Sequence, residues 1–227
     1  MRMNKDEVVS YMLANYTSTQ AKATWLPSRK PTYGIRYPQL KTLSKVIVKS
    51  DPIAFLESND FSLYELEILQ TYVIGSLKRL DQALHYFKGF LEVAKEWSLI
   101  DSLCQKFIIA KKYPREVLAM IASYQSSHEE YTERMICVMG LSHYMIDPYV
   151  DEIMVLVDNL DHPGYYAKMG KAWAVCEYMV RYPTEAMTYI KRNQLDAWTH
   201  NKAIQKMLES YRIDKDLKVV LKTMKRK

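Results

Sequence analysis

Apolar residues recur at intervals of three and four along nearly the whole chain, and no stretch alternates with the period of two that a half-buried β-strand needs. Leu99, Leu103 and Phe107 form one such stripe, and Trp173 and Cys176 belong to another. Each stripe is the length of an ordinary helix and ends at a short polar or proline-containing segment. The spacing therefore predicts an all-α protein of about eleven to thirteen helices joined by short loops.

Proline marks several of the predicted helix starts, as at Pro52 and in two joints of similar sequence. The segments 112–116 and 181–185 each end one helix and open the next with proline in the first turn. Helix pairs that recur about every 35–45 residues favour a HEAT-like helical-repeat superhelix, an α-solenoid whose stacked pairs curve around a concave surface. An irregular helical bundle is the alternative, because no strict repeat is visible in the sequence. Without a composition shift or a long linker, we expect one domain over residues 1–227.

The balance of residue types narrows the class of protein. Six glycines and eight prolines in 227 residues are too few for a disordered or collagen-like chain. The apolar stretches are shorter than a bilayer span, the N-terminus lacks a signal-peptide core, and three cysteines without a CxxC pattern suggest reduced thiols. We therefore expect a soluble cytoplasmic protein.

Basic residues exceed acidic ones, which leaves a formal charge of +6 and permits a polyanionic partner. The excess is uneven, since residues 217–227 contain basic side chains and no acidic one. For the basic tail from about residue 222 two alternatives stand, a disordered end and a contact to flanking DNA, and we expect disorder.

The sequence contains no glycine-rich nucleotide loop, no HExxH and no nucleophile elbow, and its five histidines show no metal-ligand spacing. We therefore expect neither a cofactor nor a metal.

Trp97 and Asp101 are the most informative pair, because residues four apart on a helix share one face. An acid beside a large aromatic ring can stabilise a cationic group while the ring excludes water. On spacing alone the simpler interpretation is favoured: a packed tryptophan, with Asp101 as a local helix cap or a solvated acid.

Four other side chains have a similar double interpretation. Arg134 opens an apolar helix, where it can bind a phosphate or pair with Glu130 on the same helix. Trp173 is either a core residue or part of a ligand surface, and Lys168 and Lys171 next to it either approach phosphates or form a solvated basic face.

Taken in order, these fragments resemble the AlkD-like DNA alkylation repair family. The resemblance covers about residues 20–222 and is carried by the following residues: Gly34-Ile35-Arg36-Tyr37-Pro38, Trp97-x-x-x-Asp101-Ser102, Arg134, Lys171-Ala172-Trp173 with Glu177-Tyr178, and the late runs Asn201–Lys206 and Ser210–Ile213. It implies a HEAT-like α-superhelix that holds double-stranded DNA in a concave basic groove. It also implies a monofunctional glycosylase that removes cationic alkylated purines such as N3-methyladenine and N7-methylguanine in base excision repair.

The resemblance also assigns roles to matched positions. Asp101 matches the family's catalytic carboxylate, and Trp97 and Trp173 match the aromatic pair that contacts the lesion nucleotide. Arg134 matches a residue that binds the DNA backbone. Trp25 occupies a position where the family often has tyrosine, and it is expected to contact the lesion.

Two further functions remain open. One is a non-catalytic DNA-binding member of the same fold, and the other is a HEAT-type scaffold that binds proteins. A DNA cradle should gather Arg134, Lys168 and Lys171 on a strongly positive surface, whereas a scaffold should be apolar or mixed in charge. The glycosylase is preferred because the acid and the aromatic residues are all retained, and we expect it to act as a monomer.

Overall fold

The structure is a computed structural model that describes residues 3–16 and 30–227. Over these residues it contains thirteen α-helices and no β-strand, which confirms the all-α prediction. The chain divides into two compact units, Met1–Pro114 and Arg115–Lys227, each of which is considered by itself. None of the helices in the described ranges has the length and apolarity required to cross a membrane.

Unit 1 is organised around a central helix, α4, which packs against α2 on one side and α6 on the other. Its helices are α1 (Lys5–Tyr16), α2 (Tyr37–Ser50), α3 (Pro52–Ser58), α4 (Tyr64–Ser76), α5 (Leu80–Val93) and α6 (Trp97–Lys106), and a short 3-10 helix, Ile108–Lys111, follows. The stripe predicted from Leu99, Leu103 and Phe107 is buried. Phe107 packs against Phe87 of α5 with 4.6 Å between ring centroids.

A buried glutamate fixes the segment that leads into α2. Glu65, only 1% exposed, uses Oε1 to accept hydrogen bonds from the backbone N–H groups of Tyr33 and Ile35. Gly34 between them has φ 72, a left-handed conformation that glycine adopts without strain. The Gly34–Pro38 motif is therefore a tight turn bound to the start of α4, and Pro38 lies in the first turn of α2.

Unit 2 is built around the 17-residue helix α10, which packs against α8 and α12. Its helices are α7 (Pro114–Ala122, beginning at the last residue of unit 1), α8 (Glu130–Met139), α9 (Val150–Asp158), α10 (Tyr165–Arg181), α11 (Pro183–Arg192), α12 (Ala197–Glu209) and α13 (Lys215–Thr223), with a π-helical turn at Gly140–Tyr144. The predicted proline starts are confirmed, because α3, α7 and α11 all begin at a proline. The three cysteines are buried thiols, as expected.

The prediction of a disordered C-terminal tail is wrong. The last turn of α13 reaches Thr223, and the backbone beyond it is hydrogen-bonded to the body of unit 2. The Met224 carbonyl contacts Nε2 of His200 at 2.9 Å, and Arg226 exchanges two backbone hydrogen bonds with the Asn201 side chain. The Arg226 guanidinium also donates to the Asn193 carbonyl at 2.7 Å. Specific partners for a basic side chain, rather than its charge alone, hold the tail in place.

Candidate functional site

Helix α6 presents Trp97 and Asp101 on adjacent turns of one face. The Trp97 ring, in the first helical position, is 39% exposed, whereas Asp101 is 8% exposed. A negative charge at that depth is poorly solvated and interacts with nearby charge more strongly than in water. The sequence prediction of a shared face for this pair is confirmed.

The neighbouring face of α6 fixes the rotation of the helix. Ser98 and Ser102, each one residue after a member of the pair, hydrogen-bond to α4: Ser98 Oγ lies 3.2 Å from the Tyr64 hydroxyl and Ser102 Oγ lies 2.6 Å from Thr71 Oγ1. The Tyr64 hydroxyl also lies 2.8 Å from that of Tyr37 at the start of α2. Burial raises the pKa of Tyr64 above its ordinary range, so the hydroxyl stays protonated. The Ser98 and Ser102 hydrogen bonds, which are uncharged and one turn apart, therefore fix the orientation of the face that carries Trp97 and Asp101.

Sequence reasoning missed a second acid at this end of α6. Glu96 occupies the position before the first helical residue, and its Oε2 is buried without a hydrogen-bond partner in the described part of the chain. Burial raises the pKa of Glu67 on α4, and the Glu96 charge adds to the increase. The start of α6 is therefore a region of negative charge beside an exposed indole. The signal in the sequence was an acid directly before a predicted helix start.

In unit 2, Arg134 lies at the contact between α8 and α10 and is 4% exposed. Its Nη1 donates to the Tyr166 carbonyl in the first turn of α10 at 3.0 Å. A Cβ added to Gly170 would lie 3.4 Å from Arg134 Cγ, which shows how closely the two helices approach. Arg134 thus supports the start of α10, and phosphate binding by it stays a prediction.

Trp173 continues the face of α10 that Arg134 contacts, because residues 166, 170 and 173 follow one another at helical spacing. It is half-buried. Glu177, one turn further, accepts a two-pronged contact from Arg212 at 3.2 and 2.5 Å and a third hydrogen bond from Arg181 at 2.8 Å. Burial opposes ionisation of Glu177, but the two arginines outweigh it and lower its pKa. The face of α10 that carries Trp173 therefore lies between the Arg134 contact at Tyr166 and the arginine contacts at Glu177.

The two lysines predicted as backbone ligands lie on a different face of α10 from Trp173, since separations of five and two residues rotate a side chain by about 140° and about 200° around the helix axis. Lys168 Nζ is 3.4 Å from Asp196 Oδ1. Lys171 Nζ donates to the carbonyls of Asp158 and Leu160 at the end of α9, at 3.0 and 2.7 Å, and burial lowers its pKa. Lys171 therefore caps a helix end, beside a cleft of about 580 Å³ that α11 also lines. Its predicted phosphate contact stays untested.

Trp25 lies outside the described residues, so its predicted lesion contact stays a prediction.

Among the residues that are described, one group could hold a metal ion: the ligand atoms of His128, Glu133 and Asp161 lie within 4.8 Å of one another. His128 Nδ1 is 3.0 Å from Asp161 Oδ1, and both Glu133 oxygens accept from the backbone N–H of His162. These contacts between α8 and the segments that precede α8 and α10 account for the arrangement.

Sequence reasoning also missed a tryptophan in unit 2. Trp198 in the first turn of α12 is 39% exposed, and Lys202, four residues later, places Nζ 5.5 Å from the centre of its ring. The signal was the same four-residue spacing that had identified Trp97 and Asp101.

A family model described as DNA alkylation repair enzyme matches residues 12–207, a range that contains all of the predicted site residues. The searches of curated proteins and of solved structures gave no significant match.

Proposed function

Since the chain belongs to the DNA alkylation repair enzyme family, we propose that it is a monofunctional DNA glycosylase acting on duplex DNA. Its substrates in this proposal are cationic alkylated purines, typified by N3-methyladenine and N7-methylguanine, which it removes in base excision repair as a monomer without a cofactor. The observation that carries the proposal is the buried Asp101 carboxylate one helical turn from the exposed Trp97 ring.

The proposed reaction breaks the bond between C1′ of deoxyribose and the ring nitrogen of the purine. The bonding electron pair leaves with the base and neutralises its positive charge, so the base needs no acid to protonate it. Positive charge develops on the sugar, water adds to C1′, and the proton of that water is released to Asp101 or to solvent. A fixed anion is the group that such a transition state requires, because preorganised charge in a poorly solvated site costs no reorganisation.

Trp97 contributes in a second way. An indole face attracts a cation within about 6 Å by roughly 0.5–2 kcal/mol. The ring is exposed enough to meet a nucleotide, and its position at the start of α6 leaves the Asp101 carboxylate one turn deeper. Glu96, whose Oε2 is buried, adds negative charge at the same helix end. In the proposal Trp97 contacts the lesion nucleotide, and Trp173 is given the same role because its motif resembles the second aromatic position of the family.

The DNA backbone is bound by basic residues in this proposal. The formal charge of +6 favours association with a polyanion. Arg134 and Lys168 are proposed to bind phosphates, together with Lys171 to the extent that its helix-capping contacts allow. Each phosphate neutralised should steepen the salt dependence of duplex binding.

The test is base release in single turnover from a duplex that carries one N7-methylguanine, with spontaneous depurination subtracted. Asp101→Asn keeps the shape of the side chain and removes its charge, so the rate is expected to fall by about 100- to 1000-fold. Asp81→Asn is the matched control: this exposed acid on α5 pairs with Arg79 and should not alter the rate.

An unchanged rate in Asp101→Asn would refute the catalytic assignment. No release by the wild-type protein above background, repeated with N3-methyladenine, would refute the glycosylase. A DNA-binding member of the fold or a protein scaffold would then remain.

A further inference from the structure

Four aromatic rings lie side by side at the N-terminal ends of α8, α10 and α12. Trp198 contacts Tyr165 with ring centres 5.7 Å apart, Tyr165 contacts Tyr166 at 5.3 Å, and Tyr166 stacks on Tyr131 at 5.7 Å with planes 25° apart. Tyr165 is the most open of them, with 56% of its surface exposed. We call these four residues the aromatic platform.

Hydrogen bonds to the backbone of Tyr166 and a ring contact from Trp198 make the platform rigid. The backbone N–H of Tyr166 donates to Glu130 Oε1 at 2.7 Å, and its carbonyl accepts from Arg134. Trp198 meets Tyr165 at an angle of 63°, an edge-to-face arrangement that fixes the Tyr165 ring and leaves it largely open to solvent. A ring that is already ordered loses little conformational entropy when a ligand stacks on it.

Positive charge borders two of the four rings, Tyr165 and Trp198. Lys168 follows Tyr165 by three residues and Lys202 follows Trp198 by four, so each aromatic residue has an ammonium group one turn along its own helix. Lys202 Nζ lies 5.5 Å from the centre of the Trp198 ring. Asp196, the acid beside them, accepts hydrogen bonds from the backbone N–H and the hydroxyl of Thr199 at the start of α12. Its Oδ1 also lies 3.4 Å from Lys168 Nζ, a half-exposed pair that a phosphate would compete with for the lysine.

We propose that the aromatic platform binds an unpaired nucleobase of a DNA strand, with the base stacked on Tyr165 and the adjoining phosphates bound by Lys168 and Lys202. Aromatic rings with basic neighbours are the usual means by which proteins bind single-stranded nucleic acid without sequence preference. A protein partner fits less well, because lysine is depleted at protein–protein interfaces, where arginine is the enriched cation.

The inference rests on the proposed function only in taking DNA as the ligand. Strands with unpaired bases arise wherever a duplex is distorted, and the platform would give such a strand a place to bind on unit 2.

The test is the equilibrium binding of a fluorescently labelled single-stranded oligothymidylate to the full chain, followed by anisotropy. Tyr165→Ala removes the open ring and is expected to weaken binding about tenfold, as the stacking of one base predicts. Trp198→Ala should weaken it by a similar or smaller factor, because it removes the ring that orients Tyr165. Tyr165→Phe keeps the ring and should remain within about twofold of the wild type.

Tyr211→Ala is the matched control. Tyr211 is a fully exposed tyrosine that follows α12 and is not part of the platform, so its loss should leave the affinity within about twofold. A weakening as large as that of Tyr165→Ala would overturn the proposal, as would wild-type affinity in both Tyr165→Ala and Trp198→Ala. A wild-type protein that does not bind the oligonucleotide would also overturn it and leave the platform to a protein partner.

Lys202→Gln examines the phosphate contact separately. For a single strand, one lost contact lowers the slope of log affinity against log salt by about 0.7, whereas an unchanged slope would remove Lys202 from the proposal. Base release from the damaged duplex is measured on the same preparations. If the wild-type protein releases no base and Tyr165→Ala weakens oligonucleotide binding, only the glycosylase is refuted. If the wild-type protein releases the base and Tyr165→Ala binds the oligonucleotide as the wild type does, only the platform is refuted.

Discussion

Two helices of this protein begin in the same way and differ in one charge. Helix α6 carries Trp97 in its first turn and Asp101 four residues later, and helix α12 carries Trp198 and Lys202 with the same spacing. Both indoles are 39% exposed. Ring, ring exposure and spacing are alike, so the two pairs differ in the charged residue: Asp101 is a buried acid and Lys202 a partly exposed base. A carboxylate beside an indole suits a cationic sugar or base, and an ammonium group suits a phosphate.

The two units also fix their helices by different chemistry. Helix α6 is held by hydroxyl contacts from Ser98 and Ser102, which carry no charge. Helix α10, against which α12 packs, is held by ionised Glu177 between Arg181 and Arg212. The orientation of α6, with Trp97 and Asp101, should therefore not depend on pH, whereas the orientation of α10 should.

The largest effect is expected from substituting a glycine of α4 that contacts the end of α6. A Cβ on Gly75 of α4 would lie 2.5 Å from the Lys106 carbonyl, a backbone atom that cannot move without shifting α6. Gly75→Ala is expected to lower the free energy of unfolding by about 2–3 kcal/mol in urea denaturation followed by circular dichroism. Gly170→Ala on α10 should cost about 1 kcal/mol or less, because its nearest neighbours at 3.3 and 3.4 Å are side-chain atoms.

Gly89→Ala is the control for helix propensity. Nothing lies within 4 Å of a Cβ at this position in α5, so alanine should stabilise the protein by up to about 1 kcal/mol. Equal losses at Gly75 and Gly170 would contradict the difference between the two helix contacts.

The second prediction concerns acid. The lowered pKa of Glu177 stabilises the fold above the ordinary glutamate value of 4.5, and this contribution is lost as pH falls through the lowered value. Glu177→Gln should therefore lower the free energy of unfolding by about 1–2 kcal/mol at pH 7 and by less at acidic pH. Urea denaturation of both proteins at pH 7 and below pH 4.5 measures this.

Ser98→Ala provides the contrast in unit 1. Its partner Tyr64 remains protonated throughout this range, so the loss of stability should be the same at both pH values. A loss that shrinks with acid in Ser98→Ala, or one that does not shrink in Glu177→Gln, would remove the distinction between neutral and ionic support.

The smallest effect should separate the two tryptophans by kinetics. Trp97→Ala removes a cation–π contact and is expected to lower the maximal single-turnover rate of base release about tenfold. Trp198→Ala should instead raise the protein concentration that gives half of the maximal rate. Titration of each variant against a fixed duplex measures both quantities, and equal falls in maximal rate would show that the two pairs do not differ in role.

Helix content and the shared face of Trp97 and Asp101 could be predicted because each depends on spacing along a single helix. An amphipathic stripe specifies which residues are buried, so Leu99 and Leu103 and the proline starts at Pro52 and Pro183 were predictable. Trp198 was predictable on the same grounds and was overlooked.

The partners of the long charged side chains could not be predicted in this way. Spacing left Arg134 and Lys171 open between solvent, phosphate and protein, whereas tertiary structure gives them the carbonyls of Tyr166 and of Asp158 and Leu160. The same holds for Arg226, whose partners Asn201 and Asn193 lie 25 and 33 residues away in the sequence and turn an expected disordered end into an ordered one.

The sequence by itself determined the helices, their apolar faces and the family, because these depend on residues within one or two turns of each other. Only the tertiary structure decided which charged groups are already bound, which rings come together in the aromatic platform and how α6 is rotated. A flexible side chain binds the partner that packing brings within reach, and packing depends on distant segments of the chain.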